Sequence, residues 1–385
     1  MRRLLSPFLL VFTSILGLAY YYAASQLTSH VVFALFLALP FICIWLVPIL
    51  YWSGDRAETK PWTHHFQTIA YVSMGWLNFV FVALIPLNLL SFTLNIAGRR
   101  GLAEAIDANT PELTLGFSIV ALLFGFWRAR SGPGLKTVPI PIDDLDSDLH
   151  NLTFVQISDL HVGPTIRKHY VERVVRQCNA LKPDLIVLTG DIVDGSISDL
   201  REHAAPLKTL NAKYGVYLIL GNHDYYSGAD AWVNEFRAMG ITVLLNSHVI
   251  IRVGSASFML AGVLDPAVQQ FSKDLKPDPH MARGNVDTSQ NMLRILLAHN
   301  PKLAILAEHA GFHLQISGHT HAGQFIPWTL ITKWVHAPHY VGLSRQKNMW
   351  VYVSAGTGSW GPPIRLGTSP ELSLLKLEHS GAINR

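Results

Sequence analysis

Gln315-Ile316-Ser317-Gly318-His319-Thr320-His321-Ala322-Gly323-Gln324 is the stretch on which the reading of this chain turns: an apolar run stops at a glycine, and two histidines follow at alternate positions. In an extended segment residues i and i+2 project the same way, roughly 6.5 Å apart. Both imidazoles can therefore reach one metal ion or two adjacent ones. The chain has 18 histidines, so one His-x-His carries little weight alone. Its weight comes from what lies upstream.

From Asn151 onward, short runs rich in Val, Ile and Leu each end in a polar cluster, with stretches of helical period between them. This is the pattern of an α/β domain. Leu152 to Ile157 runs into Ser158-Asp159-Leu160-His161, and Asp184 to Thr189 into Gly190-Asp191-Ile192-Val193-Asp194. Val216 to Leu220 runs into Gly221-Asn222-His223-Asp224, Arg294 to Leu297 into Ala298-His299-Asn300-Pro301, and Leu314 to Ser317 into the histidine pair. In open α/β sheets ligands gather beyond the carboxyl ends of the strands, so the five clusters are expected to converge on one edge. The two cysteines, Cys43 in an apolar run and Cys178 in a predicted helix, exclude a disulfide framework or a thiolate zinc site. Any metal must use His, Asp and Asn.

Asp-x-His, Gly-Asp-x-x-Asp, Gly-Asn-His-Asp, a lone His and Gly-His-x-His, in that order, resemble the calcineurin-like metallophosphoesterase superfamily over most of Asn151 to Leu377. Gly318 to Gln324, with Gly356-Thr357-Gly358, Pro363-Ile364-Arg365 and Pro370-Glu371-Leu372, is similar to its bacterial membrane-associated or exported subgroup. The resemblance implies a four-layer αββα sandwich holding two divalent metal ions. By it, Asp159, His161 and His321 hold one ion, Asn222, His299 and His319 the other, and Asp191 bridges them. Carboxylate, imidazole and amide ligands suit Mn, Fe or Zn. Two such cations lower the pKa of a shared hydroxide and polarise a phosphoryl group for in-line attack. His223 is implied to protonate the leaving oxygen or bind the phosphate; Asp194 is its expected orienting partner, with Asp224 as the alternative. Asp224 also suits a helix cap or a loop hydrogen bond. Arg365 either binds phosphate or anchors its Gly/Pro-rich loop. Asp265, before Pro266, reads first as a turn residue, and His169, His203, His248, His309 and His313 as surface or helix residues.

The first third is of another kind. A mean hydropathy of +0.27 is high for a soluble enzyme, and the excess lies in Leu4 to Ala24, Val31 to Trp52 and Thr68 to Leu90, none of which contains Lys, Arg, Asp or Glu. Each is long enough to cross a hydrocarbon layer of roughly 30 Å and has no polar face. Leu113 to Trp127 is a shorter fourth, which spans only about 22 Å unless Asn109 to Glu112 extend it. Arg2 and Arg3 also suit a signal peptide, but the next apolar span follows so closely that an uncleaved anchor is expected. With four crossings, Arg2, Arg3, Arg56, Lys60, Arg128, Arg130 and Lys136 fall on one side and only Arg99 and Arg100 on the other. This places both termini and the C-terminal domain in the cytoplasm, at a bacterial plasma membrane. The expected organisation is a transmembrane region over 1–128, a linker over 129–150 marked by Ser131-Gly132-Pro133-Gly134 and four aspartates, and a metallophosphoesterase domain over 151–385.

A net charge of +4 without long basic runs argues against a nucleic-acid partner. The sequence therefore reads as a membrane-anchored phosphoesterase; the alternative is a transporter or sensor with a phosphate- or metal-binding regulatory domain. Phe325 to Val335 puts Trp328 and Trp334 around Lys333 directly after the metal motif. About half of its apolar side chains are expected in the core. The rest suit a membrane interface and a lipid-linked substrate.

Overall fold

The computed structural model describes residues 7–53, 61–286 and 292–380; Arg2, Arg3, Arg56 and Lys60, on which the topology expectation draws, lie outside them. The elements in chain order are α1 (Pro7–Leu27), α2 (Val31–Ser53), α3 (Pro61–Ile96), α4 (Arg100–Arg130), β1 (Gly134–Ile142), β2 (Thr153–Ile157), α5 (Lys168–Ala180), β3 (Leu185–Thr189), α6 (Ile197–Ala204), β4 (Val216–Ile219), α7 (Asn222–Tyr226) and α8 (Ala229–Ala238). There follow β5 (Thr242–Val243), β6 (Ser247–Val253), β7 (Ala256–Gly262), α9 (Pro279–Arg283), β8 (Leu293–Leu297), α10 (Ala304–His309), β9 (Leu314–Ser317), α11 (Trp328–His336), β10 (Gly342–Gln346), β11 (Met349–Val353) and β12 (Glu371–His379).

The chain divides into two compact units, one of residues 1–130 with 361–366, the other of 131–360 with 367–385. In the first, α1 to α4 are all long and apolar enough to cross a membrane. Their outward faces carry Leu18, Val31, Phe36 and Leu123, each more than 60% exposed, the reverse of a water-soluble helix. The fourth helix is longer than the 15-residue run suggested, because the polar first half of α4 continues into it without a break. Its buried face is a seam of small residues, Thr110, Thr114, Ser118, Ala121, Gly125 and Ala129. Small side chains at this spacing let helix backbones approach closely, the packing mode used where lipid removes the hydrophobic drive.

In the second unit two six-stranded sheets face each other, ordered β1-β12-β2-β3-β4-β5 and β10-β11-β9-β8-β7-β6. Phe154, Leu185 and Ile219 of the first sheet and Phe258, Leu260, Ile295 and Ile316 of the second fill one buried cluster between them. The outer face of the first sheet is covered by α5, α6 and α8 through Val171, Val174, Leu200 and Trp232. Ala282, Ala304 and Ala307 of α9 and α10 pack on the second. The result is a four-layer αββα sandwich. β2, β3, β4 and β5 run parallel, as do β7, β8, β9 and β11.

Two expectations change. The 129–150 stretch is not only a linker: β1 pairs in parallel with β12 from Gly134↔Glu371 to Ile142↔His379. Val138, Ile140 and Ile142 alternate into the core, a two-residue period partly hidden in the sequence by Pro139 and Pro141, which an edge strand tolerates. The five polar clusters also do not share one sheet edge. Three follow β2, β3 and β4 of the first sheet, and two follow β8 and β9 of the second.

Candidate metal centre

The strands that lead to the site stop abruptly. Asp159, His161, Asp191, His319, His321, Ala322 and Gln324 all have positive φ, seven of the twelve such non-glycine residues among those described. Conformations of this kind persist only where the surroundings over-determine them, and here they re-aim side chains that a strand would have sent to one face. Glycine lets the turns close. A Cβ on Gly190 would lie 2.5 Å from the Gly221 nitrogen and 2.8 Å from His299 Nδ1, and one on Gly318 1.9 Å from Ser158 Oγ. The loop before β12 supports the first turn: the Thr357 and Gly358 amides donate to the carbonyls of Ser158 and Asp159 (2.7 and 3.0 Å).

The histidine pair is not extended, as the alternate spacing suggested. With φ of 74° at His319 and 50° at His321, its members separate into two groups. His321 Nε2 lies 3.4 Å from Asp159 Oδ1 and 2.9 Å from His161 Nε2. His319 Nδ1 lies 3.2 Å from Asn222 Oδ1 and 3.3 Å from His299 Nε2. Asp191 stands between the groups, its Oδ2 3.2 Å from His299 Nε2 and 3.8 Å from His161 Nε2. Its Oδ1 accepts from the His223 amide at 2.8 Å.

Asp159 and Asp191 are 0% and 3% exposed. Burial pushes the Asp159 carboxyl above its usual range. Burial acts the same way on Asp191, but the His299 imidazole overrides it and holds this carboxyl well below. For His161 burial works downward and Asp194 outweighs it, raising the imidazole to about 9. Burial, then His299, lowers His319 to about 3. Buried carboxylates among imidazoles whose ring nitrogens meet at 2.9 Å favour positive charge between them. Divalent cations meet that need, and the donor set fits them: nitrogen, carboxylate oxygen and amide oxygen, without thiolate.

Asp194 serves two histidines. Its Oδ2 is 2.9 Å from His161 Nδ1 and its Oδ1 2.8 Å from His223 Nδ1, which leaves Nε2 of each ring free of that contact. A carboxylate on the far nitrogen fixes the tautomer of a ligating imidazole and raises its basicity. Asp224, the alternative partner of His223, does something else. Its carboxylate accepts from the amides of Asp191, Ile192, Val193 and Gly221 at 2.8 to 3.1 Å, which holds the Asp191 turn and the start of α7 together. Asp265 is a turn residue that caps Ala267 (2.8 Å). Arg365 is not among the residues gathered here. It is fully buried, groups with α1 to α4, and donates its amide to the Gly125 carbonyl (2.9 Å), so the loop-anchoring role is the one its position matches.

Three aromatic residues at the site have no sequence signal. Tyr226 and Trp360 each pack a ring 5.6 Å from that of His223, and His336, at the end of α11, lies 5.5 Å from His319. Tyr226 ends the short helix that the Asn222 motif begins, whereas only the fold brings Trp360 to a histidine 137 residues earlier.

Residues 152–323 match the family model described as calcineurin-like phosphoesterase. A zebrafish (Danio rerio) transmembrane protein with metallophosphoesterase domain is 31% identical over 84% of this chain and 76% of its own length. An uncharacterized metallophosphoesterase of Helicobacter pylori is 32% identical over 69% of this chain and 70% of its own. Among solved structures, a Thermus thermophilus sulfate thiohydrolase aligns with a TM-score of 0.39 at 15% identity, covering 61% of this chain and 58% of that one. The family model and the sequence relatives, with the two-sheet sandwich and its strand-end His and Asp groups, define a metal-dependent phosphoesterase. The chain belongs to the calcineurin-like metallophosphoesterase family, and it carries four helices long and apolar enough to cross a membrane.

Proposed function

We propose that the chain hydrolyses a phosphoester or pyrophosphate bond of a lipid-linked substrate at a centre of two divalent ions. Asp159, His161 and His321 hold one ion, Asn222, His299 and His319 the other, and Asp191 bridges them. The observation that carries this reading is the position of Asp191 Oδ2 between His299 Nε2 (3.2 Å) and His161 Nε2 (3.8 Å). When bound, the ions supply an activated water and polarise the phosphoryl oxygens. The chain's own part is to orient and to move a proton. Asp194 holds His223 through Nδ1, so Nε2 of His223 is the atom that delivers a proton to the leaving oxygen. Asp194 also holds His161, which ties proton delivery to ligand geometry.

Lipid enters through α11. No residue of this helix is buried; Trp334 and Leu330 are 84% and 71% exposed, and Trp328, Ile331 and Val335 are exposed too. Of the stretch expected to be half core, only Phe325 is buried. The helix starts against the ligand turn, where a Cβ on Gly323 would lie 2.4 Å from Thr329 Cα, and ends beside His319. Tryptophans with a lysine on an apolar helix suit the headgroup layer. Residues 1–128 act as the anchor and 151–385 as the catalytic region, on the cytoplasmic side of a bacterial plasma membrane. α1, α2 and α3 contain no Asp, Glu, Lys or Arg, so nothing in them favours transport.

The test is elemental analysis of the purified full chain together with hydrolysis of nitrophenyl mono- and diesters and lipid-linked pyrophosphates. Two divalent ions per chain, and activity lost to a chelator and restored by Mn, Fe or Zn, are expected. A chain that binds no ion, or an apoprotein no ion reactivates, overturns the assignment. Reporter fusions at Asp146 and near Asn95 test the side: cytoplasmic at the first and external at the second. The reverse at Asp146 rules out the proposed orientation.

A further inference from the structure

His223 is walled by aromatic rings that the fold leaves in solvent. Tyr226 stands at 71° to it and Trp360 at 67°, both with centroids 5.6 Å away. Phe271 continues the wall, 6.1 Å from Tyr226. These three rings are 42%, 53% and 57% exposed, so they are not core. A single exposed ring needs no explanation, but a contiguous group does. The rings are also held in place. The Gln324 amide group clamps the backbone of Trp360 from both sides, accepting from its nitrogen at 2.9 Å and donating to its carbonyl at 2.8 Å. Phe271 stacks on Tyr225 at 6.2 Å and 25°. Gln324 closes the turn that carries His319 and His321, so the position of Trp360 is referenced to the ligands themselves.

We infer that Tyr226, Trp360 and Phe271 form a binding wall for a leaving group that carries a planar aromatic ring. The inference rests on the proposed role of His223, because the wall surrounds the histidine that meets the leaving oxygen. The substrate then has a direction: its aromatic part lies against this wall. Two sources share this chemistry, an aryl group directly on the phosphate and a nucleobase one ribose away. Phe271, farther from His223 than Tyr226 in the chain of ring contacts, suits the second.

Two ligand pairs with stable C–P bonds separate the sources without turnover. Calorimetry with the metal-loaded full chain would compare phenylphosphonate with cyclohexylphosphonate, equal in size and different in planarity. It would also compare the analogue of α,β-methylene-ADP whose 5′ ester oxygen is likewise replaced by CH2 with methylenediphosphonate, which differ by the nucleoside. A planar aryl group is expected to gain about three- to tenfold in affinity, a nucleobase about ten- to hundredfold. Y226L, F271L and W360L should remove whichever preference is found, with methylenediphosphonate binding as the control for an intact site. Equal affinities within both pairs overturn the inference, as does a preference that survives all three substitutions. So does a wild type with no ring preference whose F271L and W360L variants lose affinity for anionic vesicles, because the rings then face lipid. If methylenediphosphonate itself does not bind, it is the dimetal reading that fails; if it binds and the nucleoside adds nothing, only the wall fails.

Discussion

The two sheets reach the site with different chemistry. β2, β3 and β4 deliver every carboxylate, Asp159, Asp191 and Asp194, along with His161, Asn222 and His223; β8 and β9 deliver only imidazoles, His299, His319 and His321. Carboxylate charge and the proposed proton donor therefore come from one side of the sandwich and imidazole nitrogens from the other. Each proposed ion needs both. A centre built this way makes the packing between the sheets part of its own geometry, and gives the sandwich a tie that the cluster of Phe154, Phe258 and Ile316 does not supply alone.

This contrast predicts unequal losses. Asp191→Asn removes the charge shared by both ions, and the loss of turnover should be about 10⁴-fold or more, the worth of several kcal/mol of Lewis-acid stabilisation, with both ions depleted by elemental analysis. His319→Ala, from the other sheet, should cost one ion and leave the Asp159, His161 and His321 group loaded. If His319→Ala empties both positions, or Asp191→Asn keeps two ions, the division between the sheets is wrong.

His223→Ala tests the proton, not the metals. Turnover should fall by about 10² to 10⁴, the usual worth of a general acid, with metal content unchanged and a smaller loss on nitrophenyl esters, whose leaving groups need little protonation. Equal losses across leaving groups would assign His223 to phosphate positioning instead. Asp194→Asn should reproduce the effect and also weaken metal retention about 10- to 100-fold, because it orients His161 too; unchanged retention would show that its contact with His161 matters little.

Removing the ions should loosen the sandwich. Ligands bound at 100 to 1,000 times their Kd stabilise by about 3 to 4 kcal/mol, or roughly 5 to 15 °C in Tm for a domain of this size. A chelated chain that melts at the same temperature would mean that the ions do not tie the sheets together.

What could be read in the sequence, and what could not, follows from distance along the chain. The proposed ligand residues sit within a few positions of a strand end, so a local pattern of apolar run, glycine and polar residue locates them, and β9 begins and ends where the sequence run does. Asp194 was legible as a partner of His223 but not of His161, because that contact depends on a turn with positive φ. β1 could not be read because its partner lies more than 200 residues away and its prolines suggest a loop. Arg365 shows an ambiguity that only packing resolves: an arginine in a Gly/Pro-rich loop suited phosphate and loop anchoring alike, and its neighbour Ile364 fills the space left by Gly75 and Gly125, where a Cβ would lie 2.0 and 2.4 Å from it. Glycines in apolar helices carry no such message until the packing is known.

The smallest expected effect concerns α11, which follows the imidazole-bearing sheet and faces outward. The helices of the first unit and α11 both expose large apolar side chains, and only the former are long enough to span a membrane. Nine residues at 1.5 Å rise reach about 14 Å, too short to cross but enough to lie along an interface. Trp328→Ser with Trp334→Ser removes two exposed rings, so Tm and metal content should stay within error. Turnover of a lipid-linked substrate in vesicles should fall about tenfold, as expected from losing roughly 1 to 2 kcal/mol of interfacial contact, while nitrophenyl ester hydrolysis in detergent is unchanged. If both activities fall together with Tm, the tryptophans support the fold. If neither falls, the lipid enters elsewhere, and α11 only borders the metal centre.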